Sequence, residues 1–346
     1  MFRVLRHILA GVVAGAALCA CSLVDDDLSQ CNTAYTLDYQ LRLVTNITTE
    51  LETELSMEFD AEVRSVLQGY LENIFTDYAR DVDLSFYDRG TPMPRLQHRT
   101  EQMNGSESSY ALTLPVQAYR HLAVANIAAS TNVKLENDGE CLTSTLTQQA
   151  DGNVVRPHSI GLFTARKDMD VMYGVDQHFD VRLYMANAAS ALVLDMSGAP
   201  EIKGLRVMLD GFADGFRISD STYVFSSPVD VGTDMLETAD KRTRCYASVH
   251  FPSPEPAETK VVIQVDSDED RSSTPLWHWR AYVELADGSV TESVISMYTP
   301  LRAGHIEILR GRVAENGAVV LSDEKTAVGV SVTLNWENGV EFPVYF

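Results

Sequence analysis

The chain has 346 residues, 45% apolar and 22% charged, a globular balance that excludes wholesale disorder and at this length predicts two domains. Its net charge of −22 excludes nucleic acid as a partner, because phosphate neutralisation needs a clustered basic face. The same charge disfavours adsorption to an anionic membrane by electrostatics alone.

Arg3 and Arg6 precede Ile8–Ala20, an apolar run too short to cross a bilayer, which takes about 20 residues, but suited to the core of a secretory signal. The run ends Leu18-Cys19-Ala20-Cys21, which resembles a bacterial lipobox with Cys21 as the residue to be acylated. Residues 1–20 are therefore expected to be a lipoprotein signal peptide. Acyl chains on the Cys21 thiol and on the new amino terminus would together make a stable anchor, where a single chain binds only marginally. The competing reading is a plain signal cut at an alanine. Residues 21–30, with Asp25-Asp26-Asp27, read as an acidic tether.

Of five cysteines, Cys19 leaves with the signal and Cys21 takes lipid, so Cys31, Cys141 and Cys245 remain. Two of them can pair in an oxidising compartment, in any of three ways among which the sequence does not choose. Burial of all three as small hydrophobes is the other reading.

Tyr35–Val44 alternates apolar and polar residues, the signature of a half-buried strand. From Asp60 to Asp77 the period changes: Val63, Val66, Leu67, Tyr70, Leu71, Ile74 and Phe75 share one stripe of an amphipathic helix. Strands resume at Val82–Tyr87, Ser109–Leu114 and Ala118–Ile127. A restart near Val175–Asp180 places a first domain over 31–175 and a second over 176–346. The second reads as strands at Phe179–Met185, Ala191–Asp195, Gly204–Asp210, Cys245–Phe251, Lys260–Val265, His278–Leu285, Ser289–Met297, His305–Val313, Gly317–Leu321, Ala327–Trp336 and Val340–Phe346. Short strands with turn residues between them and no crossover helices predict an all-β fold, two tandem β-sandwiches with one helical insertion.

Chemistry finds no foothold. No His-x-x-x-His pair, Gly-x-Ser-x-Gly elbow or phosphate loop occurs, and among 49 acidic residues no pair stands out as acid and base. Asp266–Asp270 lacks the glycine and closing glutamate of a calcium loop and reads as a solvated turn. Trp277 and Trp279 share one face of a strand; they read as core, with a sugar-stacking platform as the alternative. No enzyme and no cofactor are expected.

Asp27-Leu28-Ser29-Gln30-Cys31 behind a lipobox resembles the start of the FimB-type fimbrial anchor family of Bacteroidetes, and the acidic spacer resembles that phylum's surface-export signal. Phe179–Leu194 and Thr326–Gly339 are similar to the opening of that family's second domain and to its C-terminal hairpin. The resemblance implies two transthyretin-like sandwiches, an outer-membrane location through the N-terminal lipid, and type V fimbrial stalk subunits as partners. It also implies assembly by donor-strand exchange, in which one subunit's strand completes another's sheet. Stalk subunits in that system lose their first strand to an arginine-specific protease; anchors keep it. Arg42, inside the first strand, is the basic residue to watch. Val340, Phe342 and Val344 alternate after the Asn338-Gly339 turn and are the candidate donor strand, against an ordinary final hairpin. The expected role is an anchor or accessory subunit that tethers a pilus and limits its length. The alternative is a surface glycan-binding lipoprotein of a polysaccharide-uptake system.

Overall fold

The computed structural model describes residues 34–44, 59–72, 74–76, 78–137, 139–226, 229–239, 242–256, 274–322 and 328–330. In chain order these form β1 (Ala34–Val44), α1 (Ala61–Glu72), β2 (Ala79–Asp88), β3 (Arg95–Gly105), β4 (Glu107–Pro115), β5 (Ala118–Ala125), β6 (Val133–Glu136), β7 (Thr145–Gln148), β8 (Ala150–Asp151), β9 (Val154–Val155) and β10 (Phe163–Asp170). There follow β11 (His178–Met185), β12 (Ala188–Asp195), β13 (Ile202–Phe212), β14 (Gly215–Arg217), β15 (Thr222–Val224), β16 (Val229–Gly232) and β17 (Asp234–Leu236). The chain closes with β18 (Thr243–His250), β19 (Trp277–Leu285), β20 (Val290–Met297), β21 (Ile306–Val313), β22 (Val319–Leu321) and β23 (Val328–Val330). The fold is all-β with a single α-helix among the described residues, as the alternation predicts.

Four sheets stack around three cores. A seven-stranded sheet runs β3-β2-β5-β10-β11-β1-β4; its outer face meets a four-stranded sheet, β15-β14-β7-β6, through Leu122, Val124, Leu146 and Phe216. A second sandwich sets β17-β18-β12-β21-β22, with β23 on β21, against β20-β19-β13-β16-β9-β8. Its core is Leu192, Leu194, Val207, Leu209, Trp277 and Trp279. The third core lies between the sandwiches: the inner face of the first sheet, α1, and Ala191, Ala247, Ile306 and Ile308 of the second.

Local chemistry explains the helix. The Asp60 carboxylate accepts the backbone amides of Glu62 and Val63 at 3.1 and 2.9 Å, satisfying donors that an N-terminus leaves free. Val63, Leu67 and Leu71 recur at i, i+4, i+8 and are the helix's buried face; Ile74 and Phe75 of the expected stripe are buried just past its end. In β13, Gly211 holds φ at +93° against Trp277, where an added Cβ would lie 2.7 Å from the tryptophan Cα. Only glycine fits that bend and that approach.

The expected domain break at 175/176 falls between β10 and β11, which are antiparallel neighbours in one sheet. The first sheet thus extends to Met185, and strands cross back: β14 and β15 join the first sandwich, β8 and β9 the second. No helix among the described residues is long and apolar enough to cross a membrane.

Candidate functional site: the first strand and its groove

β1, the first described strand in chain order, is seated inside a sheet with a neighbour on each side. On one side it pairs in parallel with β11, from Asp38 opposite His178 to Val44 opposite Tyr184. On the other it pairs antiparallel with β4, from Ala34 opposite Pro115 to Arg42 opposite Glu107. Its alternation sends Leu37, Tyr39, Leu41 and Leu43 into the core and Thr36, Asp38 and Arg42 outward. Each fully buried large apolar side chain contributes about 1.5–3 kcal/mol by transfer from water, so four in one strand bind it firmly.

Within this apolar groove lies one polar contact. The Tyr39 hydroxyl is 2.5 Å from His121 Nε2 of β5, and His121 Nδ1 is 3.0 Å from the Ser85 carbonyl of β2. A carbonyl only accepts, so Nδ1 carries the proton, Nε2 accepts, and the tyrosine hydroxyl donates. The imidazole also stacks on Phe86 with centroids 4.3 Å apart. Burial lowers its pKa to about 4 and raises that of Tyr39 well above the ordinary phenol value, so both are neutral.

On the outer face Arg42 is partly exposed and its Nε lies 2.9 Å from the Glu107 carboxylate; His178 similarly meets Asp38 at 2.9 Å. The Arg42 side chain is reachable while the strand that carries it is paired on both sides, and the Leu43 amide donates to Ser106 O at 2.8 Å. A protease that binds substrate as an extended strand has no free edge here.

The other expected sites are dispersed. Cys21, Cys31, Asp266–Asp270, the strand Lys260–Val265 and the candidate donor residues Val340, Phe342 and Val344 lie outside the described residues. Cys141 and Cys245 are free, buried thiols in different cores, so they do not pair with each other; burial pushes them up to about 11 and 12. Of the tail hairpin, Val328–Val330 pairs with Ile306–Ile308 of β21. Trp277 and Trp279 are fully buried between the sheets of the second sandwich. That corrects the platform alternative: an alternating strand with one face on a core cannot offer the same face to a sugar. Among the described residues no three His, Cys, Asp or Glu side chains gather as a metal site.

Sequence reading missed His121 and Glu107, since nothing local marks which strand faces which. A histidine amid apolar neighbours in His121-Leu122-Ala123-Val124 was the available signal.

No known protein family matches the chain, and no curated protein sequence matches it either. Solved structures do. A candidate adhesin from Bacteroides ovatus superposes with TM-score 0.53 at 11% identity, over 84% of this chain and 93% of its own. A second B. ovatus candidate adhesin gives TM-score 0.49 at 11% identity, over 78% of this chain and 85% of its own. The fimbrial anchor protein Mfa2 from Porphyromonas gingivalis gives 0.48 at 10% identity, over 84% of this chain and all of its own. At these identities the likeness establishes the fold.

Proposed function

We propose that the protein is a lipid-anchored outer-membrane subunit, an anchor or accessory component of a type V fimbria, that tethers the pilus and limits its length. The carrying observation is β1: a strand whose apolar side chains fill its own groove and which is paired with a neighbour on each side through Arg42. A subunit that keeps this strand keeps everything attached ahead of it, including the Cys21 lipid. It stays at the membrane and its groove stays closed to donated strands, which stops growth at that end. The lipobox supplies the attachment, and the fold shared with a candidate adhesin supports a place at the cell surface.

We further place the two halves as sandwiches meeting near Ala186, the residue between β11 and β12 at which the chain leaves the first sheet for the second. We propose Val340, Phe342 and Val344 as the donated segment. The test is deletion of the gene followed by electron microscopy, with a Cys21→Ser strain beside it. Pili that grow long and shed into the medium are expected in both. Pili of unchanged length that stay attached would refute the tethering role.

A further inference from the structure

The loop between β10 and β11 has an apolar tip. Met172, Tyr173 and Val175 are 51%, 74% and 47% exposed, in a place where chains ordinarily put polar residues. The tip is built on a fixed frame. The Gln177 carboxamide accepts the Met172 amide at 2.8 Å and donates to the Asp170 carbonyl at 2.8 Å, and Gly174 turns the chain at φ +68°.

The tip also stands at the root of β1. Tyr35 packs edge-on against Tyr173 with ring centroids 5.7 Å apart. Ala34 pairs with Pro115, and the Val171 amide donates to Gln117 O at 3.0 Å, which brings the exposed Val116 alongside. One rim of the first sandwich therefore carries Tyr35, Val116, Met172, Tyr173 and Val175 together. The chain leading back to Cys21 departs from this rim at Ala34, about 13 residues away, a reach of at most roughly 45 Å if fully extended.

We propose that this rim seats on the lipid surface to which Cys21 is joined, with the Met172–Val175 tip entering the headgroup boundary. The proposal rests on the lipid-anchor reading above. The tether's point of departure selects the bilayer over a second copy or another subunit, because it keeps this rim nearer the lipid, and at higher effective concentration, than the faces at the far end of β1. Charge sets the mode of contact. Asp170 and Asp176 border the rim and the Arg89 guanidinium beside them is paired with Asp170 at 2.8 Å, so no unpaired cation among these residues draws the rim to anionic headgroups. Contact is apolar and aromatic, with the Tyr173 ring in the boundary and its hydroxyl in water.

The test uses the full-length lipoprotein in vesicles of phosphatidylcholine and phosphatidylethanolamine. A photoreactive phenylalanine analogue replaces Tyr173 in one sample and Val294, an exposed valine of β20, in another. Irradiation should attach lipid at position 173 roughly tenfold more than at 294, a ratio unchanged by salt because the contact is not electrostatic. Equal lipid adducts at both positions, or protein adducts in place of lipid at 173, overturn the proposal. Flotation of the same vesicles reads the anchor separately. Protein that floats without lipid adducts at 173 removes the rim contact alone, whereas protein that floats no better than Cys21→Ser removes the anchor reading and the rim contact with it.

Discussion

The Tyr39 hydroxyl donates to His121 Nε2 at 2.5 Å inside a groove that is otherwise apolar. A strand with alternating apolar side chains can slide by two residues and still bury hydrocarbon; a single buried donor facing a single buried acceptor cannot. This pair thereby fixes the register of β1. Tyr39→Phe leaves the imidazole nitrogen without a donor and should cost about 1–3 kcal/mol in urea denaturation, whereas a merely packed phenol would cost almost nothing.

Leu41 is fully buried between β11 and β4. Leu41→Ala should remove about 2–5 kcal/mol, since the cavity it leaves is walled by two paired strands and collapses poorly. Native-state hydrogen exchange should then find the amides of β1 exchanging faster than those of β12. Equal acceleration in both strands would mean that β1 does not open as a unit.

Arg42 should resist an arginine-specific protease in the folded protein. Cleavage needs β1 to leave both partners, so its rate follows the population of that opened form. Glu107→Ala removes a surface ion pair worth about 0.2–1 kcal/mol and should speed cleavage no more than about fivefold. Rapid appearance of a native fragment beginning at Leu43 would assign the chain to the processed subunits instead.

Acid should unfold the protein early. Burial lowers His121, His158 and His250 to about 4, 3 and 4 from an ordinary 6.5. All three are neutral in the fold and take up protons only when it opens. Their contribution is complete above pH 6.5 and falls as the pH drops toward 4, by about 1.4 kcal/mol per pH unit for each. Urea denaturation at about pH 7 and pH 5 measures this; equal stability at the two would rule it out.

Glu307 on β21 pairs with Ser190 and Gly329, and burial pushes its carboxyl up to about 7 from 4.5. A raised carboxyl is tolerated while protonated and costs stability as the pH rises through 7. Glu307→Gln should therefore be neutral near pH 4.5 and stabilising by about 1–3 kcal/mol at pH 8. Thermal melts at the two pH values decide it, and a loss of stability at pH 8 would contradict the assignment.

What the sequence revealed followed from local periodicity. The alternation of Tyr35–Val44 and the shared face of Trp277 and Trp279 buried the residues expected of them, and of the helical stripe Val63, Leu67 and Leu71 are buried while Val66 and Tyr70 are half-buried. β3 escaped notice because an edge strand, wet on both faces for most of its length, leaves no apolar alternation in Arg95–Gly105. β10 escaped because Phe163–Asp170 changes its burial pattern midway. The continuation of the first sheet past residue 175 was hidden for a deeper reason. β11 joins β1 in parallel, and pairing between strands so far apart in sequence leaves no trace in either strand alone. The same holds for Tyr39 and His121, which meet only once β5 and β1 share a sheet.

The parallel run of β1 and β11 has a mechanical consequence. Both strands start at the end of the sheet where Ala34 leaves, and both finish toward the second sandwich. Under the proposed tethering, a pull between the Cys21 lipid and a fibre held at the far end is directed along β1. It loads the ladders to β11 and β4 in shear, so that many hydrogen bonds must break together, rather than peeling them open in turn.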